Sequence, residues 1–200
     1  MYLKFGKRFL DIISSILFLT VGAPFFVLAG LIIWIDTGWP ILVRLERVSG
    51  GRNVRLFKFR SMVRGAAALK KDLAHLNERK NGPFFKIKND PRVTRSGRWL
   101  RKIRFDEFPQ LLNVLTGDIS LIGPRPHEPE EVAQYPEQYQ KLPLAKAGLT
   151  GLSQVNGASA LSASKELELD SYYLKYESFS LDLRILLKTF RIFFSDPTGV

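Results

Sequence analysis

The chain has 200 residues, no cysteine and a formal net charge of +11 at pH 7, from 30 Lys and Arg against 19 Asp and Glu. The lack of cysteine excludes disulfides, thiolate metal sites and cysteine nucleophiles, and two histidines leave few parts for a His-rich metal site or a serine–histidine triad. The basic balance predicts anionic partners, drawn from nucleic acid, acidic lipid head groups and phosphorylated small molecules.

An apolar segment without any charged side chain runs from Ile12 to Ile35. As a helix rising ~1.5 Å per residue it is about 36 Å long, which exceeds the roughly 30 Å thickness of a bilayer core. Pro24 lies at its middle and removes one backbone donor, so we expect the helix to kink or break there.

Both flanks of this apolar segment are basic. Cytoplasmic flanks of membrane segments carry the excess of Lys and Arg, so a broken helix that enters and leaves on the same face satisfies both ends. The alternatives are a single kinked transmembrane helix and a buried helix of a soluble domain. We expect residues 1–37 to form a re-entrant helix–break–helix unit in the membrane, and residues 38–200 to form a cytoplasmic domain.

The remaining residues predict a mainly α fold with a small β-hairpin, an α+β class. Two short strands are expected at 41–46 and 54–60, joined by a turn rich in glycine. Helices are expected at 65–80, 96–103, 109–115, 128–142 with a break at Pro136, 164–176 and 181–194. Residues 123–126 and 148–157 read as loops, because Gly and Pro punctuate them.

The last predicted helix is amphipathic. Arg184, Lys188 and Arg191 fall on one face, and Leu and Phe residues, among them Phe193 and Phe194, fill much of the remainder. This pattern is typical of an interfacial helix at a membrane surface, and it is equally typical of a helix that packs on a protein core.

The candidate for chemistry is the adjacent pair Asp106 and Glu107, which lies between Phe105 and Phe108 after a dense basic stretch. Two adjacent acids alone are common on solvated helix faces. A helix start and nearby arginines, however, keep a carboxylate ionised, so that it can act as a nucleophile or bind a hard cation such as Mg²⁺.

Attack on a phosphoryl group requires cations around its oxygens. The sequence offers them at Lys58, Arg60, Arg101 and Arg125, the last of which lies between Pro124 and Pro126 in a stiff loop. Each of these cations alone is typical of a solvated surface charge, whereas the four together indicate a site that binds phosphate. No Walker-type glycine-rich loop is present, so a P-loop nucleotide site is not expected.

Ordered motifs extend along nearly the whole chain, at 58–62, 89–94, 106–118, 120–126, 148–157 and 170–173. In these motifs the chain resembles the bacterial sugar transferases, also called monotopic phosphoglycosyl transferases. The resemblance implies a minimal catalytic unit on the cytoplasmic face of the bacterial inner membrane. It also implies a re-entrant helix, in agreement with the flank charges.

The resemblance further implies a two-step reaction. Asp106 attacks the β-phosphate of a UDP-sugar and releases UMP, and polyprenol phosphate, typically undecaprenol phosphate, then takes the sugar phosphate. Mg²⁺ would bind near Asp106, and Glu107 would assist by deprotonating the acceptor or by holding the metal. We expect the substrate to be bound by Lys58, Arg60, Arg101, Pro124 and Arg125. This reaction is the first membrane step of glycoconjugate or exopolysaccharide synthesis.

Three positions depart from the family pattern. Ala147 and Ala158 stand where members often carry Pro and Arg, and Ala23 stands where a small polar residue often precedes the proline. The missing arginine leaves the identity of the sugar open.

Two other functions remain as alternatives. The first is a non-catalytic scaffold, tethered to the membrane, that binds anionic lipid. The second is a nucleic-acid binder, which the apolar segment and the absence of a recognition motif disfavour, so that no nucleic acid is expected as a partner. The amphipathic faces are also compatible with a homodimer.

Overall fold

The computed structural model describes residues 2–79 and 82–195, apart from the side chains of Lys4, Ser159 and residues 193–195. Lys80, at the end of the predicted helix 65–80, and Asn81 lie outside the described part. So do the side chains of Phe193 and Phe194, residue 1 of the predicted membrane unit 1–37, and residues 196–200 of the predicted domain 38–200. The α-helices are α1 (Lys7–Thr37), α2 (Arg95–Lys102), α3 (Leu111–Thr116), α4 (Pro129–Val132), α5 (Leu152–Val155), α6 (Ala163–Tyr176) and α7 (Phe179–Ser195). The strands are β1 (Leu42–Ser49), β2 (Arg52–Phe59), β3 (Ser120–Ile122) and β4 (Gly148–Thr150). The α+β class with few strands is confirmed.

Helix α1 continues through Pro24 without interruption, so the expected break in the helix is not observed. The proline ring fixes φ near the helical value, and the loss of one hydrogen bond in 31 residues leaves the neighbouring turns intact. Among the described helices, α1 is long and apolar enough to cross a membrane, and only 22% of its most apolar window is buried against the rest of the chain.

Two small sheets flank the centre of the fold. β1 and β2 form an antiparallel hairpin from Leu42↔Phe59 to Ser49↔Arg52, which confirms and extends the two predicted strands. β3 and β4 form a parallel pair, with Ser120 opposite Gly148. The second pair was not predicted, because strands of only three residues are too short to show a periodic signal.

The continuous helix predicted for 65–80 is wrong. The described residues form short 3₁₀ turns at Ala68–Lys70 and Ala74–Leu76, and neither turn buries a side chain. Alanine favours helix, but most helix stability in proteins comes from packing an apolar face, and Leu69 and Leu76 are each 41% exposed. The helix predicted for 128–142 is limited to α4, which stops at Val132 before Pro136, and a 3₁₀ turn follows the proline at Glu137–Tyr139.

Three groups of buried apolar residues form the core. The largest joins β2, α3, β3, α6 and α7 through residues that include Leu56, Val114 and Tyr173. A second joins α1 to β2 and to the segment before α3 through Ala29, Ile33, Phe59, Leu100 and Phe105. The third packs Phe84 and Tyr135 under α6 through Leu167. The acidic pair predicted from sequence lies beside the second group.

Candidate active site

A tight turn presents the two adjacent acids. α2 ends at Lys102, and Arg104 takes a left-handed conformation with φ 53° that reverses the chain. A 3₁₀ helix over Phe105–Gln110 follows, with Asp106 and Glu107 in its first turn. The Asp106 side chain is 5% exposed and that of Glu107 is 44% exposed, so the two neighbours differ in their access to solvent.

Lys58 bridges the two carboxylates from the end of β2. Its Nζ lies 2.9 Å from Oδ2 of Asp106 and 3.1 Å from Oε1 of Glu107. Burial alone would lower the pKa of Lys58, but the two carboxylates raise it above its ordinary value. In turn the charge of Lys58, with that of Arg125, lowers the pKa of Glu107 to about 2 against the effect of burial. Glu107 is therefore ionised throughout the physiological range.

Arg101 approaches Asp106 from the last turn of α2. Its Nε lies 4.0 Å from Oδ2 of Asp106 and donates to Oγ of Ser61 at 2.9 Å. The N-terminus of this short helix is capped by the Thr94 side chain, which accepts from the amide of Gly97. The cap and the Ser61 contact together fix the direction of Arg101.

Arg125 is held by helix α6. Its backbone amide donates to Oδ2 of Asp170 at 3.0 Å, and its Nε lies 3.6 Å from Oε1 of Glu166. Burial would lower the pKa of Arg125, while the charges of Glu166 and then Glu107 raise it. Its guanidinium therefore lies in the field of Glu107 as well as of Glu166. The neighbouring Pro124 accepts from the amide of Gly148 at 2.8 Å, which ties the loop to β4.

Glu166 is a buried anion that sequence reasoning missed. Besides Arg125 it contacts Nη1 of Arg79 at 2.8 Å and Nε2 of His127 at 3.2 Å. Burial would raise its pKa, but these partners lower it to about 2. Glu166 and Asp170 are four residues apart on α6 and share its buried face. Two acids at that spacing on the inward stripe of a helix were the signal that could have revealed this cluster.

Asp170 behaves differently from Glu166. It is 2% exposed, and burial raises its pKa to about 7 although it accepts from the amide of Arg125. A carboxyl group that titrates near neutrality thus lies directly behind the loop that carries Arg125.

Arg60 does not join the acidic pair. Its Nη2 donates to Oγ1 of Thr37 at 2.5 Å and to the carbonyl of Gly38 at 2.6 Å, and it is buried at the C-terminal end of α1. β2 ends at Phe59, so the alternation that directs Lys58 toward the acids does not extend to Arg60.

Magnesium would have two adjacent carboxylates here, on Asp106 and Glu107. No cluster of three or more His, Asp or Glu side chains suited to a metal occurs in the described residues. Mg²⁺ is commonly held by one or two carboxylates together with waters and substrate phosphates. The residues at this site fit such an ion, with the phosphates of a substrate completing its coordination.

An aromatic group connects the acidic pair to the apolar helix. The ring of Phe26 in α1 lies 5.5 Å from that of Phe59, 5.6 Å from that of Phe105 and 6.3 Å from that of Phe108. Phe105 and Phe108, which flank the two acids, stack on each other at 4.6 Å. The candidate site therefore lies against the helix whose other face is exposed and apolar.

Comparison with known proteins shows the family of the chain. The family model described as bacterial sugar transferase matches residues 2–196. An undecaprenyl-phosphate galactose phosphotransferase of Salmonella typhimurium is 38% identical over 94% of this chain and 40% of its own length. A UDP-N-acetylgalactosamine-undecaprenyl-phosphate N-acetylgalactosaminephosphotransferase of Aeromonas hydrophila is 34% identical over 94% of this chain and 43% of its own. The exopolysaccharide production protein PSS of Rhizobium leguminosarum is 35% identical over 92% of both chains. The first two of these relatives are thus more than twice as long as the matched part. The chain belongs to the bacterial sugar transferase family.

Proposed function

We propose that the protein transfers a sugar phosphate from a UDP-sugar to polyprenol phosphate, with Asp106 as a covalent nucleophile. The observation that carries this proposal is the pair of adjacent carboxylates bridged by Lys58 at 2.9 and 3.1 Å, with Arg101 and Arg125 alongside. The names of the Salmonella and Aeromonas relatives, which specify sugar phosphate transfer involving undecaprenyl phosphate, support it.

In the first step, a carboxylate oxygen of Asp106 attacks the β-phosphorus of the UDP-sugar. A bond forms between that oxygen and phosphorus, and the bond from phosphorus to the bridging oxygen breaks, so that UMP leaves with the electron pair. Lys58, Arg101 and Arg125 would neutralise charge on the phosphate oxygens, which is the main task of catalysis in phosphoryl transfer. In the second step, an oxygen of polyprenol phosphate attacks the same phosphorus and releases the Asp106 carboxylate.

Glu107 is better suited to an electrostatic role than to that of a base. Its pKa of about 2 lies well below that of a phosphate monoester, whose second pKa is near 6, so proton transfer from the acceptor to Glu107 would be uphill. The acceptor is also largely dianionic at neutral pH without help. We assign Glu107 to holding Mg²⁺ together with Asp106, where the ion would offset the charge of the substrate phosphates.

The contacts of α1 support placement of the protein on one face of the membrane. Asp11 and Asp36 lie at opposite ends of the apolar run, and both accept hydrogen bonds from the rest of the chain, at Leu121 and Ser96 respectively. A single body that contacts both ends is difficult to reconcile with a helix whose ends lie on opposite sides of a bilayer core. We place the catalytic part on the cytoplasmic face of the bacterial inner membrane, with the exposed apolar side of α1 and the mixed face of α7 toward lipid.

The test is UMP release by the purified protein with Mg²⁺, undecaprenyl phosphate and a panel of UDP-sugars. We expect release with at least one sugar, and its loss by at least about a thousandfold in Asp106→Asn, because the nucleophile is removed. Asp72→Asn, an exposed acid away from this site, is the matched control and should keep full activity. Liposome binding without turnover of any sugar would instead favour the non-catalytic scaffold.

A further inference from the structure

Asp11 is a buried carboxylate at the start of an apolar helix. It is 4% exposed and accepts from Oγ of Ser120 at 3.0 and 2.9 Å and from the amide of Leu121 at 2.8 Å. Asp11 directly precedes the uncharged run 12–35, and an acidic group at such a place is costly to bury, so that it usually marks a function. Attachment to lipid does not require this acid, so its role lies in its contact with the rest of the chain.

The contact completes an edge of β3. On one side β3 pairs with β4, since the amide of Ser120 donates to the carbonyl of Ala147 and the amide of Gly123 donates to the carbonyl of Thr150. The amide of Leu121 points to the opposite side, where a third strand would otherwise be needed, and Leu121 is buried. Asp11 supplies the acceptor that such a strand would provide.

The segment fixed in this way leads directly to Arg125. Only three residues separate Leu121 from Arg125, and the carbonyl of Pro124 is bonded to Gly148 on the β4 side. Strand β3 and the loop that follows it are thus held by β4 on one edge and by Asp11 on the other. A displacement of about 1 Å at a substrate-positioning group can cost a hundredfold in rate.

We propose that Asp11 is a positioning residue for the active site, which acts through β3 on the placement of Arg125. This inference rests on the proposed function, because Arg125 is assigned to the substrate phosphates. The helix α1 is then a structural part of the site as well as its attachment to lipid.

The experiment uses the full chain in lipid nanodiscs and measures kcat and KM for UMP release. Asp11→Ala is expected to lower kcat/KM for the UDP-sugar by about tenfold to a hundredfold, with unchanged recovery in the membrane fraction. Asp11→Asn can still accept from Leu121 and donate to Ser120, so it should restore activity to within about threefold of wild type. Ser14→Ala, a small polar neighbour on the same helix, is the control and should leave kcat/KM unchanged.

A double-mutant cycle separates positioning from attachment. If Asp11 acts through Arg125, Asp11→Ala should cost no more than about twofold in an Arg125→Ala background. The full loss in both backgrounds, or no loss in the single variant, would overturn the proposal. If Asp11→Ala fails to fold, Ser120→Ala removes one of the two donors and should show a smaller loss with the same dependence on Arg125.

A readout independent of activity keeps the two proposals distinguishable. Hydrogen exchange of a peptide covering 119–126 should be faster in Asp11→Ala than in wild type, and unchanged in Ser14→Ala. Wild-type protein that releases no UMP from any UDP-sugar would remove the proposed function, whereas unchanged exchange in Asp11→Ala would remove the role of Asp11.

Discussion

Asp106 and Glu107 are neighbours in sequence with different surroundings. Lys58 contacts both, but Asp106 is buried with Arg101 nearby, while Glu107 is more exposed and lies in the field of Arg125. The difference in environment is what allows two chemically similar groups to serve different roles. In the proposed reaction the enclosed acid forms the covalent bond, and the more open one faces the metal and the incoming phosphates.

The position of Arg125 depends on Glu166, so neutralising that acid should weaken binding of the UDP-sugar. We expect Glu166→Gln to raise KM by about tenfold with a smaller effect on kcat, because the guanidinium loses its buried counter-charge but keeps its backbone bond to Asp170. Glu168→Gln changes an exposed acid on the same helix and should leave both constants unchanged. Equal losses in the two variants would show that the effect is not specific to the buried cluster.

Asp170 predicts a dependence of stability on pH. Its pKa in the folded protein is about 7, above the value near 4 of an unfolded aspartate, so the folded state binds more protons between these values. The contribution of this group to the free energy of unfolding therefore falls as pH rises from about 4 to 7 and is constant above. Asp170→Asn should remove this part of the decline. Thermal unfolding in detergent at several pH values measures it, and parallel curves for the two proteins would contradict the assignment.

At the scale of elements, the site requires β4 to lie very close to Gly123, the residue that follows β3. A Cβ added at Gly148 would lie 2.0 Å from the amide nitrogen of Gly123 and 2.4 Å from the carbonyl of Thr150, both of which are backbone atoms. We expect Gly148→Ala to destabilise the fold by about 2 kcal/mol or more and to lower activity, because the strands must separate.

Gly30→Ala is the matched control for that substitution. A Cβ at Gly30, inside α1, would meet only Ile41 at an ordinary 3.7 Å. The melting temperature and UMP release of this variant should equal those of wild type or exceed them slightly, since alanine favours helix more than glycine does. Equal effects of the two substitutions would argue against the steric account.

Elements with a strong periodic or turn signal were predicted from the sequence, and elements specified by packing were not. The hairpin was indicated by two short strand-like runs around a glycine turn, and α7 by its amphipathic pattern of Leu, Phe and basic residues. The pair β3–β4 was missed because its residues are adjacent only after the chain folds. The segment 65–79 was assigned as helix from its alanines, although no core covers it.

The candidate site shows the same division. Asp106, Glu107, Lys58, Arg101 and Arg125 could be selected from their type and order, and Lys58 and Arg101 do contact the acids. The partners of Arg125 could not, because Glu166 lies 41 positions away along the chain and reaches the site through the packing of α6. Arg60 was selected with Lys58 as a candidate cation for the phosphate, but β2 ends at Phe59, and Arg60 instead contacts Thr37 and Gly38.

At the scale of the whole molecule, α1 contacts each part of the chain that carries the site. Asp36 bonds to the first turn of α2, which carries Arg101, and Phe26 packs on the rings beside the acidic pair. Asp11 bonds to β3, ahead of Arg125. In the proposed arrangement, the helix that attaches the protein to lipid also contacts the parts of the chain that form the site.

The proposed placement of the protein on one face of the membrane predicts a labelling pattern. The chain has no cysteine, so single cysteines at exposed Leu3 and Arg52 can report from either side of the apolar run. We expect Leu3→Cys and Arg52→Cys both to react with a membrane-impermeant maleimide only when the cytoplasmic face is accessible. Reaction of Leu3→Cys from the outer face alone would show that the helix spans the membrane.

The most direct measurement of the covalent mechanism is the intact mass of the protein after incubation with a UDP-sugar and Mg²⁺ in the absence of acceptor. The proposed mechanism predicts a gain of one sugar phosphate, located on Asp106, with an equal amount of UMP released and with loss of the adduct when undecaprenyl phosphate is added. Turnover in the presence of both substrates without any adduct, or an adduct that persists in Asp106→Asn, would contradict it.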